Sequence, residues 1–140
     1  MKTFMSVAGI FALLAVPGTA GAADPAVAGK VEVTYDDAVK CASIDTALAI
    51  ALTSDEGNVS KEDQDRADTL SAFADMWLNQ ASYGHEGGQE AVLKDITEMA
   101  TGFFLKLADP ANNPGFQEQF GEDWGACQEL EAAVVASIQK

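Results

Sequence analysis

Apart from its carboxylates, this 140-residue chain has few residues of types that carry out chemistry, and they lie far apart along it. The single histidine, His85, is surrounded by glycines and precedes Glu86. The sequence has no G-x-S-x-G, no H-E-x-x-H and no glycine-rich phosphate loop. We interpret His85 as a solvated loop residue; the alternative is a general base whose partners the sequence does not reveal. We therefore expect no catalytic residue, no cofactor and no metal.

The two cysteines, Cys41 and Cys127, are the next candidates for chemistry. Both fall on apolar stripes of predicted helices, and an even pair in an exported chain is typical of a disulfide. Such a bond would contribute roughly 4–5 kcal/mol by closing a long loop. The alternatives are two free thiols or a reactive pair. Redox motifs usually keep their cysteines close as C-x-x-C, and that spacing is absent. We predict a structural Cys41–Cys127 disulfide.

The carboxyl group of Asp45 lies in the most apolar stretch of the chain. An isolated buried carboxylate is energetically costly, and burial raises its pKa. We favour an ion pair with Arg66, the one arginine. The alternatives are a position at a solvated rim, or a catalytic acid that works with a second carboxylate as in glycosidases.

Two further patterns could form a ligand site. The acidic segment that begins at Asp55 resembles a calcium loop, but its ligand positions would hold Gly57, Val59 and Arg66, so the match fails. Trp77 and Trp124 could line a small-molecule groove between helices. We assign both to the core, because aromatic residues at helical spacing usually lie there.

The first 22 residues have the pattern of an export signal. A basic start at Lys2 precedes an apolar run from Val7 to Val16, and small residues follow up to Ala22. The run is about half the ~20 residues that a membrane-spanning helix requires. We predict cleavage after Ala22 and an extracytoplasmic location, periplasmic or secreted, with no membrane anchor.

Four stretches with helical apolar periodicity must position these residues. After a flexible lead-in over residues 23–34, we predict one domain over 35–140. Gly121 predicts a break that delays the last helix. The predicted helices are Tyr35–Thr53, Lys61–Ser82, Gln89–Ala108 and Asp123–Ser137. The first is apolar on two faces, which is typical of a helix that others enclose. The fold class is therefore all-α, a small antiparallel bundle of about four helices closed by one disulfide.

The charge of the chain limits its partners. It has 22 acidic residues against 8 basic ones, a formal net charge of −14. A chain this acidic offers no surface to neutralise phosphates, so we exclude nucleic acid as a partner, and anionic membranes should repel it. Acidic surfaces speed encounters with basic proteins.

The layout of signal peptide, helical body and two well-separated cysteines resembles small periplasmic acid-stress chaperones of the HdeA type. The resemblance is one of layout, since this chain is longer and more acidic and its cysteines are further apart. The resemblance implies a protein that binds unfolded clients and whose helix packing loosens at low pH. From the residues alone, we expect a non-enzymatic module that binds a protein, either a basic partner or an unfolded client. The alternatives are that acid-stress chaperone, or a small-molecule binder that uses an inter-helix pocket.

Overall fold

A computed structural model describes residues 31–55 and 57–139 of the chain. The described residues form four helices and no strand, which confirms the all-α prediction: α1 Tyr35–Thr53, α2 Lys61–Ser82, α3 Gly88–Ala108 and α4 Phe116–Ile138. None of these helices is long and apolar enough to cross a membrane. The predicted signal peptide and most of the predicted lead-in lie outside the described residues.

Local sequence sets where the first two helices begin. The Thr34 hydroxyl accepts a hydrogen bond from the Asp37 amide, and the Asp37 carboxylate accepts one from the Thr34 amide. This reciprocal pair satisfies two N–H groups at the start of α1. Ser60 caps α2 by accepting from the Asp63 amide at 3.0 Å. Both predicted helix starts are confirmed.

The last helix differs from its prediction. Gly121 does not break it, and α4 runs without interruption for 23 residues from Phe116. Its N-cap is Gly115, whose φ of +79° suits glycine. A cluster of aromatic rings explains the longer helix: Phe103 of α3 packs against Phe116 and Phe120 of α4 with centroids 6.0 and 5.5 Å away. The burial of these rings offsets the weak helix propensity of a single glycine, about 1 kcal/mol.

The core is built around α1, which packs against all three other helices. Ten of its residues are buried, as the two-sided apolar pattern predicts. Its contact with α3 includes a polar one, since the buried Ser43 hydroxyl donates to the Ile96 carbonyl at 3.2 Å. Among the described residues, the largest fully buried side chain is that of Trp77 from α2.

A disulfide joins the central helix to the last one. Cys41 and Cys127 are bonded, with their Cα atoms 5.4 Å apart and a sequence separation of 86. Both are buried, so the bond lies in the core. The prediction of a structural disulfide is confirmed. The bond holds the middle of α1 against the middle of α4.

Candidate functional site

The candidate site begins with Asp45, which is only 1% exposed. The ion pair that we expected with Arg66 is not formed. The Arg66 guanidinium instead donates to Glu62, one turn earlier in α2. Neither carboxyl oxygen of Asp45 has a hydrogen-bond partner among the described residues. The alternative prediction, that Asp45 lies at a solvated rim, is also wrong, because the side chain lies in the core.

The group that faces Asp45 is a second carboxyl, that of Glu131 in α4. Glu131 is 7% exposed, and its Oε1 accepts a hydrogen bond of 3.2 Å from the Trp77 indole. Asp45 and Glu131 lie within hydrogen-bonding reach of each other. Two ionised carboxylates only accept hydrogen bonds, so this contact becomes a hydrogen bond only when one carboxyl carries a proton. We call Asp45 and Glu131 the carboxyl pair.

The position of the pair follows from the disulfide. Asp45 comes one helical turn after Cys41, and Glu131 comes one turn after Cys127. Residues four apart share one face of a helix. The bond between the sulfurs therefore brings the two carboxyls to the same level of the core.

Burial sets the protonation of the pair. Loss of water and the neighbouring Glu131 raise the pKa of Asp45 to about 9. Burial also raises the pKa of Glu131, an effect that the hydrogen bonds from Trp77 and Asp45 oppose. Like-charged groups in a site poor in water cannot both ionise cheaply. The pair therefore holds a proton at neutral pH.

One member of the pair is reached from outside, because Glu131 lines a groove between α2 and α4. The groove holds a cavity of about 580 Å³. Its apolar surface comes from Leu70, Phe73 and Trp124. At its rim Lys61 Nζ lies 2.6 Å from Asp65 Oδ2, beside the Arg66–Glu62 pair. Asp45 is not among the lining residues and lies behind Glu131.

The groove continues along α4 past Glu131. A second cavity of about 490 Å³ shares Phe73, Gln128 and Glu131 with the first, and extends to Val135 and Ala136. From Trp124 to Ala136 the groove follows 12 residues of helix, about 18 Å at ~1.5 Å per residue. The site is therefore an elongated open surface with a carboxyl in the middle.

The two tryptophans have different places. Trp77 is fully buried, as predicted for the core, and it reaches the site only through its N–H. Trp124 is 5% exposed and belongs to the core, yet it also lines the groove. The prediction that Trp124 belongs to the core is confirmed, and the side chain also forms part of the groove wall.

His85 lies at another end of the molecule and does not join the carboxyl pair. Its ring stacks on Tyr35 with centroids 4.9 Å apart, and its Nδ1 accepts from the Gly87 amide. Tyr35 precedes Asp45 by ten residues of α1, about 15 Å. The prediction of a solvated loop residue is thus wrong in part, because His85 is half-buried and packed.

Two acidic residues near the start of α2, Asp63 and Asp65, serve the helix itself. Asp63 takes part in the cap, where its carboxylate accepts from the Ser60 hydroxyl at 2.7 Å. Asp65 pairs with Lys61 one turn earlier. Within residues 31–55 and 57–139, no three His, Cys, Asp or Glu side chains are grouped so as to hold a metal ion.

Sequence reasoning missed Glu131. The signal was present, because Glu131 falls four residues after Cys127 and seven after Trp124. Those spacings place it on the apolar stripe of α4. A carboxylate on a buried stripe predicts a polar partner, but only the folded chain shows that the partner is another carboxylate. In a comparison with known proteins, no family model, no curated protein and no solved structure matches this chain.

Proposed function

We propose that this chain is an exported, non-enzymatic module that binds an amphipathic segment of a basic protein in the groove between α2 and α4. The observation that supports it most is the groove itself, which is open, about 18 Å long and lined by apolar side chains. Amphipathic helices bind their partners by laying an apolar face into such a groove.

The charge of the chain supports a basic partner. The net charge is −14, so a cationic segment is attracted before contact and held by the acidic surroundings afterwards. An anionic segment would be repelled over the same distances. The apolar face of the partner contributes the affinity, and charge contributes the rate of encounter and the choice of partner.

Export through the signal peptide of residues 1–22 is part of this proposal. The disulfide supports it, because such bonds persist in oxidising compartments outside the cytoplasm. We also propose that the first three helices alternate in direction, as their short connections favour.

A small amphipathic molecule is the second candidate for the groove. The first cavity, at about 580 Å³, lies within the size range of small-molecule sites. Such sites usually enclose most of their ligand, whereas this groove is open and continues along α4. The elongated shape therefore favours a peptide.

The other two interpretations have less support. An acid-stress chaperone must loosen at low pH, yet the carboxyl pair is most stable when protonated. An enzyme would need reactive groups at the groove. Among the candidates that we considered, Glu131 lines the groove, whereas Asp45 lies behind it and His85 stacks on Tyr35 elsewhere.

Binding of a model peptide tests the proposal. The probe is a fluorescein-labelled 18-residue helix of leucine and lysine with one apolar face, measured by fluorescence anisotropy. A scrambled peptide of equal composition reports attraction by charge alone. We expect the amphipathic peptide to bind at least tenfold more tightly than the scrambled one, a difference of about 1.4 kcal/mol.

A matched pair of variants locates the site. Thr69 is exposed and lines the groove, whereas Asn79 is exposed on the same helix and does not line it. T69R blocks the groove and N79R adds the same charge elsewhere. We expect T69R to lower the affinity for the amphipathic peptide at least tenfold. N79R should change that affinity less than twofold. Equal effects of the two variants would exclude the groove as the binding site.

A further inference from the structure

We infer that Glu131, backed by Asp45, is the recognition point of the groove for a primary ammonium carried on an apolar chain, the chemistry of a lysine side chain of the partner. This inference rests on the proposed function and names the group that the groove selects. The geometry that supports it is a buried carboxyl pair whose outer member lines both cavities of the groove.

The inner carboxyl, that of Asp45, lacks hydrogen-bond donors in the unbound chain. Asp45 is 1% exposed, and apart from the proton that it shares with Glu131 its oxygens have no hydrogen-bond partner among the described residues. A buried polar atom without a partner costs about 1–3 kcal/mol. An ammonium has three donors, which suits a cluster of carboxyl oxygens. A cation that contacts Glu131 from the groove would stabilise negative charge on both members of the pair.

The surrounding walls fit an alkyl chain that ends in a cation. Leu70, Phe73 and Trp124 surround the approach to Glu131 and can cover the methylene stem. The basic groups of the rim are already engaged, Lys61 with Asp65 and Arg66 with Glu62. The rim therefore adds little net charge against the entry of a cation.

Binding of an amine displaces the proton of the carboxyl pair. The empty pair holds a proton between its carboxyls, and the entering group is R–NH₃⁺. When the ammonium donates N–H bonds to Glu131, the shared proton leaves to solvent as far as the pH allows. The titratable groups that line the groove together with Glu131 are Lys61, Glu62, Asp65 and Arg66 of α2, and on the α3 side of α1 the Ser43 hydroxyl donates to a backbone carbonyl. Binding of the amine therefore strengthens as pH rises.

Three probes with the same eight-carbon chain test the inference: octylamine, octanol and octanoate. They are titrated below their micelle concentrations at pH 5 and pH 7.5, with tryptophan fluorescence and calorimetry as readouts. We expect octylamine to bind at least tenfold more tightly than octanol at pH 7.5, with octanoate the weakest. The preference for the amine should shrink at pH 5. Octylamine should also displace the leucine–lysine peptide.

Variants separate this inference from the proposed function. E131Q keeps an oxygen for the Trp77 N–H, and D45N mimics the protonated inner carboxyl; both should lose most of the preference for the amine and still bind octanol. D75N removes one exposed carboxylate of α2 that lines neither cavity of the groove, and it should keep the preference. Thermal melting checks that each variant is folded. Equal binding of octylamine and octanol by the unaltered chain would overturn the inference, and the groove would remain a peptide site. Loss of peptide binding to the groove altogether would instead overturn the proposed function.

Discussion

At the scale of single residues, the unusual feature of this protein is a protonated carboxyl in the core. A carboxylate without partners at that depth would cost far more than a protonated one. The chain therefore keeps a proton on the pair, and the Trp77 indole supplies one hydrogen bond to the outer member. Stability becomes dependent on pH through this pair.

The direction of that dependence follows from the raised pKa. Asp45 binds its proton more tightly in the folded chain, with a pKa of about 9 against an ordinary value of 3.8. The full stabilising effect of the proton is present below pH 4 and is lost as pH rises through 9. Between pH 5 and pH 8 the loss reaches about 4 kcal/mol at most, at ~1.4 kcal/mol per pH unit.

D45N tests this dependence. The amide cannot ionise, so we expect its free energy of unfolding to fall less than that of the unaltered chain between pH 5 and pH 8. The variant should be the more stable of the two at pH 8. Urea unfolding at both pH values measures the difference. D65N, at an exposed ion pair worth little, should follow the unaltered chain. Parallel pH profiles for D45N and the unaltered chain would show that Asp45 does not hold its proton.

At the scale of elements, α4 shows how packing overrides local propensity. Two glycines inside it weaken the helix, yet the phenylalanine cluster at its start and the disulfide at Cys127 hold it in place. The same element supplies one wall of the groove. The glycine that begins the helix and those inside it have different roles.

Alanine substitutions distinguish these roles. A Cβ at Gly121 meets no atom within 4 Å outside its own helix turn and chain neighbours. We therefore expect G121A to raise the free energy of unfolding by about 1 kcal/mol. G102A, at an equally open helical position in α3, is the matched control and should give a similar gain.

G115A should act in the opposite direction. Gly115 has a φ of +79°, a conformation that costs an ordinary residue roughly 1–2 kcal/mol. Urea unfolding should show a loss of that size. A gain in stability from G115A would mean that the start of α4 is not fixed by this glycine.

At the scale of the whole molecule, the disulfide joins α1 to α4, and α4 is also one wall of the groove. Cys41 and Cys127 hold the helices together one turn from the carboxyl pair. Backbone contacts between α1 and α4 are otherwise few in comparison with those of α1 and α2. The bond therefore fixes both the fold and the geometry of the groove.

Removal of the bond should affect stability and binding together. For the double variant C41A/C127A we expect a loss of about 4–5 kcal/mol, a large fraction of the roughly 5–15 kcal/mol of a typical domain. Urea unfolding gives the stability, and anisotropy with the leucine–lysine peptide gives the affinity. Peptide affinity should fall in parallel, because α4 is one wall of the groove. Unchanged stability in the double variant would show that the helices pack without the bond.

Local sequence determined most of the secondary structure and the pairing of the cysteines. Caps at Thr34 and Ser60 and apolar periodicity suffice for the bounds of α1 and α2, because these signals act within a few residues. Because the chain has two cysteines, an intramolecular disulfide can only join Cys41 to Cys127, and the predicted export favoured its formation over two free thiols. The buried position of Asp45 also follows from its apolar neighbours.

Only the tertiary structure decided what faces Asp45. The pairing with Glu131 joins residues 86 positions apart in the chain, and no local rule prefers it to the ion pair with Arg66. Arg66 is satisfied by Glu62 one turn away in the same helix, a contact that costs little entropy. The groove is likewise a property of the gap between α2 and α4, and the amphipathic pattern of each helix alone does not reveal how far apart their axes lie.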